Sequence, residues 1–262
     1  MRRARRIARH AGAIGAAILV ALALAVPVSA ADLTETVRRI KPGIVGVGTF
    51  QEVRRPPSQL LGTGFAVGDG TLVLTSNHVV NNKADQDQHR LLVVFTGSGR
   101  DSRVVPVVVA TSDPLHDVAI LRLTQGRLPP LELGDDSGVA EGQSIAFTGF
   151  PIGAVLGLYP VTHRGIIAAR TPIAVPQVSQ GNLDARMIRM LRERFEVFQL
   201  DATAYPGNSG SPLYDQATGR VLGIVSSVFV KDAKERALSD PSGITFAVPI
   251  RYARELLRQT VP

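Results

Sequence analysis

Pro206-Gly207-Asn208-Ser209-Gly210-Ser211-Pro212 decides how this chain is read. Glycine, proline, asparagine and serine are ordinary turn formers, so the plainest account is a surface turn. A second account is chemical. Glycines on both sides of a serine permit a tight, strained backbone from which Oγ projects while neighbouring N–H groups converge on one point. The choice depends on what the remainder of the chain supplies. Thr75-Ser76-Asn77-His78-Val79-Val80 follows an apolar run and sets a histidine where the strand ends. Asp113-Pro114-Leu115-His116-Asp117-Val118-Ala119-Ile120-Leu121 sets an acid directly before a continuously apolar strand. Taken singly, His78 reads as a structural histidine and Asp117 as the end of a turn. A carboxylate abutting a buried strand nevertheless costs desolvation unless it is partnered, and an imidazole N–H is a fitting partner.

Around these segments the chain is mostly strand-like. Short β-branched runs at 44–50, 64–67, 71–74, 91–95, 104–110 and 118–123 are separated by Gly, Asp and Asn turns. Residues 124–136 carry Gly126, Pro129, Pro130, Gly134 and two aspartates, the composition of a linker between two halves. A second series of runs follows at 143–149, 161–169, 195–200, 211–214, 221–230 and 244–248. Helical spacing is confined to 33–41, stopped by Pro42-Gly43, and to 250–259, where Ile250, Ala253, Leu256 and Leu257 share one face. The pattern predicts an all-β sandwich or barrel, and periodicity alone does not separate the two.

Composition narrows the function. With 262 residues, 45% apolar and 19% charged, the chain has the makings of a folded protein with a sizeable core. Arg2, Arg3, Arg5, Arg6 and Arg9 precede an uncharged run that closes on Val28-Ser29-Ala30, the order of an export signal. An uncleaved membrane anchor is the alternative for 1–30, because the run approaches bilayer-spanning length. The formal charge of +7 falls to about +2 without these five arginines. With no basic face interleaved with aromatics, nucleic acid is not an expected partner. The absence of cysteine excludes disulfides and thiol catalysis, leaving hydroxyls and carboxylates as hydrolytic nucleophiles. His10, His89, His116 and His163 are too scattered for a ligand set, so neither metal nor cofactor is expected.

The order His78, Asp117, Ser209, with the serine well into the second half, is that of chymotrypsin-type enzymes and differs from the subtilisin and α/β-hydrolase orders. More specifically, the segments resemble the HtrA (Deg) family of exported, trypsin-fold serine proteases, in its branch without C-terminal PDZ domains. Gly62-Thr63-Gly64-Phe65 and Thr75-Ser76-Asn77-His78-Val79 are similar to that family's GSGF and TNxHV segments, and 113–121 to its DPxxDLAVL. Gly149-Phe150-Pro151-Ile152-Gly153, Gly165-Ile166-Ile167, Asp201-Ala202, Gly207-Asn208-Ser209-Gly210 and residues 243–250 also line up in order, so that the similarity covers 33–259.

The resemblance implies two six-stranded antiparallel β-barrels of the chymotrypsin-like kind with a short helix at each end. The first barrel is expected at about 40–124, a linker at about 125–140, the second barrel at about 141–250 and a C-terminal helix at 251–259, within a protease domain at 31–262. It further implies a serine endopeptidase acting on exported or unfolded proteins in the periplasm or cell envelope, or secreted, in the service of protein quality control. Ser209 is then the nucleophile, His78 the general base and Asp117 the group that orients the histidine, with the N–H groups of Gly207 and Ser209 as oxyanion hole. The expected partners are a protein or peptide substrate, a membrane only if the N-terminal segment stays uncleaved, and two further copies, since members of the family form trimers.

Several departures bear on what carries over. Ser211 stands where the family has glycine, which is expected to alter packing more than chemistry. Thr203-Ala204-Tyr205 departs from the family's usual residues. The resemblance places Thr203 and Ala204, six and five residues before the serine and facing Val225, Ser226 and Ser227, in the primary pocket, which implies an uncharged pocket and cleavage after small or medium apolar residues. Residues 184–195 place Arg186, Arg189, Arg192 and Arg194 beside Met187, Ile188, Met190 and Leu191, as either a gating or anion-binding amphipathic helix or a solvated face packed on the barrel. Two rival functions stand beside proteolysis: a scaffold keeping the protease fold without turnover, and an esterase using the same three residues.

Overall fold

Short Val-, Ile- and Leu-rich runs broken by glycine and too short for helices can bury their side chains only as sheet. The computed structural model describes residues 32–81, 90–152, 157–173, 195–226 and 244–260. Segment 1–30, His89, Ser227 and residues 184–194 of the basic stretch lie outside them. Strands β1 (Ile44–Phe50), β2 (Ser58–Val67), β3 (Leu72–Ser76), β4 (Leu91–Thr96), β5 (Arg103–Asp113) and β6 (Val118–Leu123) close into a barrel in the order β1-β2-β3-β6-β5-β4. Strands β7 (Ser144–Gly149), β8 (Val161–Pro172), β9 (Glu196–Asp201), β10 (Pro212–Asp215), β11 (Val221–Ser226) and β12 (Ile244–Pro249) close into a second barrel with the same connectivity. Closure comes from β4 returning to β1, with Gly46 opposite Phe95, and from β10 returning to β7, with Leu213 opposite Phe147. Helix α1 (Leu33–Ile40) leads in, one turn α2 (Asn77–Val80) follows β3, and α3 (Ile250–Thr260) closes the described chain.

Alternation along the strands divides the apolar residues between two layers. Val73 and Leu121 point into the first barrel with Val45, Val47 and Val94. Leu72, Leu74, Val118 and Ile120 point the other way, into a seam shared with Ala146, Phe150, Tyr214 and Ile224 of the second barrel. Strands at the seam are therefore apolar on both faces, which is why the first four residues of β6, Val118 to Leu121, read as a continuous apolar run. At about 1.5–3 kcal/mol for each large side chain removed from water, this seam is a major source of stability, and it fixes one barrel against the other. Ile250, Ala253 and Leu256 of α3 join the same layer.

The structure departs from the sequence pattern in two places. β2 begins at Ser58, well before 64, because Gly62 and Gly64 interrupt the apolar alternation. A β-carbon at Gly62 would stand 2.8 Å from the Ser209 carbonyl oxygen, so the glycine lets the two barrels approach. α2 is a single turn, too short to leave a periodic trace. The stretch between barrels is laced to both: Leu131 N–H donates to Ala66 O at 2.8 Å and Gly134 N–H to Val221 O at 2.8 Å.

Candidate active site

His78 is the second residue of α2, and Asp117 is the last residue before β6. The pairing of β3 with β6, with Ser76 opposite Val118, brings these two element ends side by side. Asp117 Oδ2 lies 2.7 Å from His78 Nδ1, and its Oδ1 accepts the His78 backbone N–H at 2.9 Å. The Asp117 carbonyl accepts the Asn77 N–H at 3.0 Å. Ser226 Oγ donates to Oδ2 at 2.6 Å. Asp117 is fully buried, and this ring of donors is what lets a carboxylate sit in an apolar seam. The His78 side chain keeps 22% of its surface exposed against none for Asp117, so the pair presents its imidazole outward. Asp117 has φ +57°, a left-handed conformation that aspartate tolerates better than most residues.

Ser209 sits in a turn held at both ends. Asn208 N–H donates to Tyr205 O at 3.0 Å, and Gly210 N–H to Val225 O at 2.8 Å. Gly207 has φ +100° and Gly210 φ +88°, and β-carbons there would stand 2.2 Å from Phe150 O and 2.0 Å from Thr63 O. Both positions thus require glycine, for space and for backbone angle. Thr63 of the first barrel clasps the turn of the second. Its N–H donates to Ser209 O at 2.8 Å, its Oγ1 donates to Gly207 O at 2.7 Å and accepts the Phe150 N–H at 3.0 Å. Val225 O also accepts Ser76 Oγ at 3.3 Å, one residue from the start of α2. The serine turn and the histidine turn therefore share one carbonyl, and Ser226, next along β11, reaches Asp117.

The other expected site residues fall out differently. Thr203 and Ala204 are half-buried, and Ala204 N–H donates to Thr245 Oγ1 at 3.0 Å. Val225 lies in the second barrel's interior with Phe147 and Leu213, and Ala204 packs against that cluster. Ser226, expected to face a pocket, turns its hydroxyl to Asp117. Nothing local in the sequence announces this, because the contact depends on how the two barrels meet. The Asn208 amide atoms and Ser211 Oγ are buried without a hydrogen-bond partner. Ser211 Oγ fills the space beside Gly149, where a β-carbon would come within 2.0 Å of it. Among the described residues no group of three or more His, Asp or Glu is arranged to hold a metal ion.

His163 was legible only as one of several scattered histidines. It stands opposite Phe147 in the β7–β8 ladder, its ring stacked on Phe147 at 4.9 Å and 6.0 Å from Tyr205, with Nε2 buried and unpartnered. Burial holds this imidazole below the ordinary histidine value. An unfolded chain takes up a proton near about pH 6.5, whereas the folded chain resists it. The stability this group contributes is therefore full above that pH and is lost progressively as pH falls below it, through the lower value of the folded chain. Melting temperature is expected to drop more steeply for the native chain than for His163→Phe between about pH 7.5 and 5.5. Parallel curves for the two proteins would contradict this.

The sequence pattern of the trypsin-like peptidase domain matches residues 62–224. The chain is 30% identical over 207 residues to a probable periplasmic serine endoprotease, DegP-like, of Pseudomonas fluorescens, covering 79% of this chain and 36% of that protein. It is 28% identical over 203 residues to the serine protease PepD of Mycobacterium tuberculosis, covering 76% of this chain and 41% of that one. This chain thus spans well under half the length of these two relatives. Among solved structures, the HtrA-type protease AlgW with a decapeptide superposes with a TM-score of 0.62 at 26% identity, over 87% of this chain and 67% of that one. The serine endoprotease from Yersinia pestis superposes with a TM-score of 0.60 at 25% identity, over 87% and 66%.

Proposed function

Because this chain belongs to the trypsin-like peptidase family, with HtrA and DegP proteins among its homologues, we propose that it is a serine endopeptidase working through His78, Asp117 and Ser209. The observation that carries the reading is the buried Asp117 carboxylate, committed to His78 Nδ1 at 2.7 Å while the serine turn is bonded to the same seam. With Nδ1–H held by the carboxylate, Nε2 is the nitrogen free to accept a proton. His78 takes the Ser209 hydroxyl proton as Oγ attacks a peptide carbonyl, then delivers it to the leaving amine. Asp117 fixes the tautomer and stabilises the imidazolium. The N–H groups of Gly207 and Ser209 bind the oxyanion of the tetrahedral intermediate, each worth about 3–4 kcal/mol in comparable sites.

The substrates of this reading are exported or unfolded proteins in the periplasm or cell envelope, in keeping with relatives named periplasmic endoproteases. The uncharged Thr203 and Ala204 support cleavage after small or medium apolar residues. The test is covalent labelling: a fluorophosphonate probe should modify the native chain, with the adduct mapped to the Ser209 peptide, and unfolded casein should be cut. A chain that takes up no probe and leaves casein intact is not a protease.

A further inference from the structure

Asp117 holds its carboxylate on His78 from a left-handed backbone, φ +57°, immediately ahead of β6. Such a conformation persists only where its neighbours over-determine it. On the strand side, the ladder with β3 does so. On the other side the next residue is His116, which is gripped on three sides. Its Nδ1 lies 2.5 Å from Asp113 Oδ2. Its ring stacks on Tyr252 of α3 at 4.0 Å and 13°, and meets the edge of Phe195 at 4.8 Å and 71°. Asp113 also gathers the intervening backbone, its Oδ1 accepting the N–H groups of Leu115 at 3.0 Å and His116 at 3.2 Å. Burial works to raise the Asp113 carboxyl, but its bonds from His116 and Leu115 carry it below the ordinary carboxylate value, so the acceptor stays charged at neutral pH.

These contacts come from three separate parts of the chain. Phe195 lies just before β9, Tyr252 lies in the first turns of α3, and Asp113 closes β5. Leu115 packs with them against Ile173, Val197 and Phe246. None of these side chains is needed to build either barrel's interior. We propose that His116 is a positioning residue: clamped by Asp113, Tyr252 and Phe195, it holds the 113–117 turn so that the Asp117 carboxylate stays aligned on His78. The inference rests on the proposed triad, since it concerns the supply of correctly aligned Asp117 to that triad. Rotation about the backbone bonds that join His116 to Asp117 swings the carboxylate against His78. Slackening of the clamp therefore appears in the chemical step and leaves substrate binding alone.

The experiment uses the full chain with a chromogenic peptide cleaved by the native protein, together with melting curves. His116→Ala and Tyr252→Ala are expected to lower kcat about ten- to a hundredfold with KM unchanged, at a temperature well below both melting points. Tyr252→Phe keeps the stacked ring and is expected to restore kcat. A purely structural role predicts lower melting temperatures with native kcat, and that result overturns the inference while the triad stands. Equal losses in Tyr252→Phe and Tyr252→Ala also overturn it, because the stack would then be irrelevant. A native chain that neither hydrolyses the peptide nor takes up a fluorophosphonate removes the triad itself, and this inference with it.

Discussion

Asp117→Asn is expected to lower kcat by about 10⁴-fold while the chain stays folded. The substitution is nearly isosteric, and asparagine accepts the left-handed backbone at φ +57° as readily as aspartate. Hydrogen bonding decides which way the amide turns. The His78 backbone N–H needs an acceptor at the Oδ1 position, 2.9 Å away, so the amide oxygen stays there and the NH₂ takes the place of Oδ2. That NH₂ then faces His78 Nδ1, which must accept in place of donating. The imidazole is driven to the tautomer with its proton on Nε2, the nitrogen that should receive the Ser209 proton. Ser226 Oγ can rotate to accept from the new amide, so the introduced NH₂ has an acceptor and the fold is expected to survive. Steady-state kinetics beside a melting curve checks the expectation. A loss smaller than about tenfold with an unchanged melt would mean that Asp117 does not set the tautomer.

The three segments proposed to carry the chemistry stand out in the sequence because each is a local pattern with a chemical reason: glycines about a serine, a histidine at a strand end, an acid against an apolar strand. The sequence also made the strands legible, since β-branched runs between turn residues survive tertiary context. What it left open depends on contacts between distant residues. Periodicity could not separate sandwich from barrel, which differ only in whether β4 returns to β1 and β10 to β7, and only the family resemblance supplied the two barrels that the structure shows. The first half of β2 was hidden because Gly62, which keeps the seam tight, looks like a turn residue. Ser226 appeared to be a pocket residue, yet its hydroxyl lies 2.6 Å from a carboxylate 109 positions away in the chain. His116 and His163 carried no signal of their own. One is defined by the aromatic rings of α3 and the start of β9, the other by Phe147 and Tyr205.

Gly207→Ala is the second large effect, with an expected loss of about 10²- to 10³-fold in kcat and little change in KM. At φ +100° the residue lies beyond the left-handed region open to side chains, which is centred near about +60°. Space is worse than angle: the new methyl would stand 2.2 Å from Phe150 O. Phe150 is fully buried and packed in the seam, which resists retreat of that oxygen. The Pro206–Gly207 peptide must rotate instead, breaking the bond from Ile152 N–H to Pro206 O. Its N–H leaves the proposed oxyanion site. His78 and Asp117 are untouched, so the double variant separates the two contributions. Asp117→Asn alone retains the catalysis due to oxyanion binding, and adding Gly207→Ala should remove most of that remainder. A double variant as active as Asp117→Asn would show that the Gly207 N–H does not stabilise the transition state.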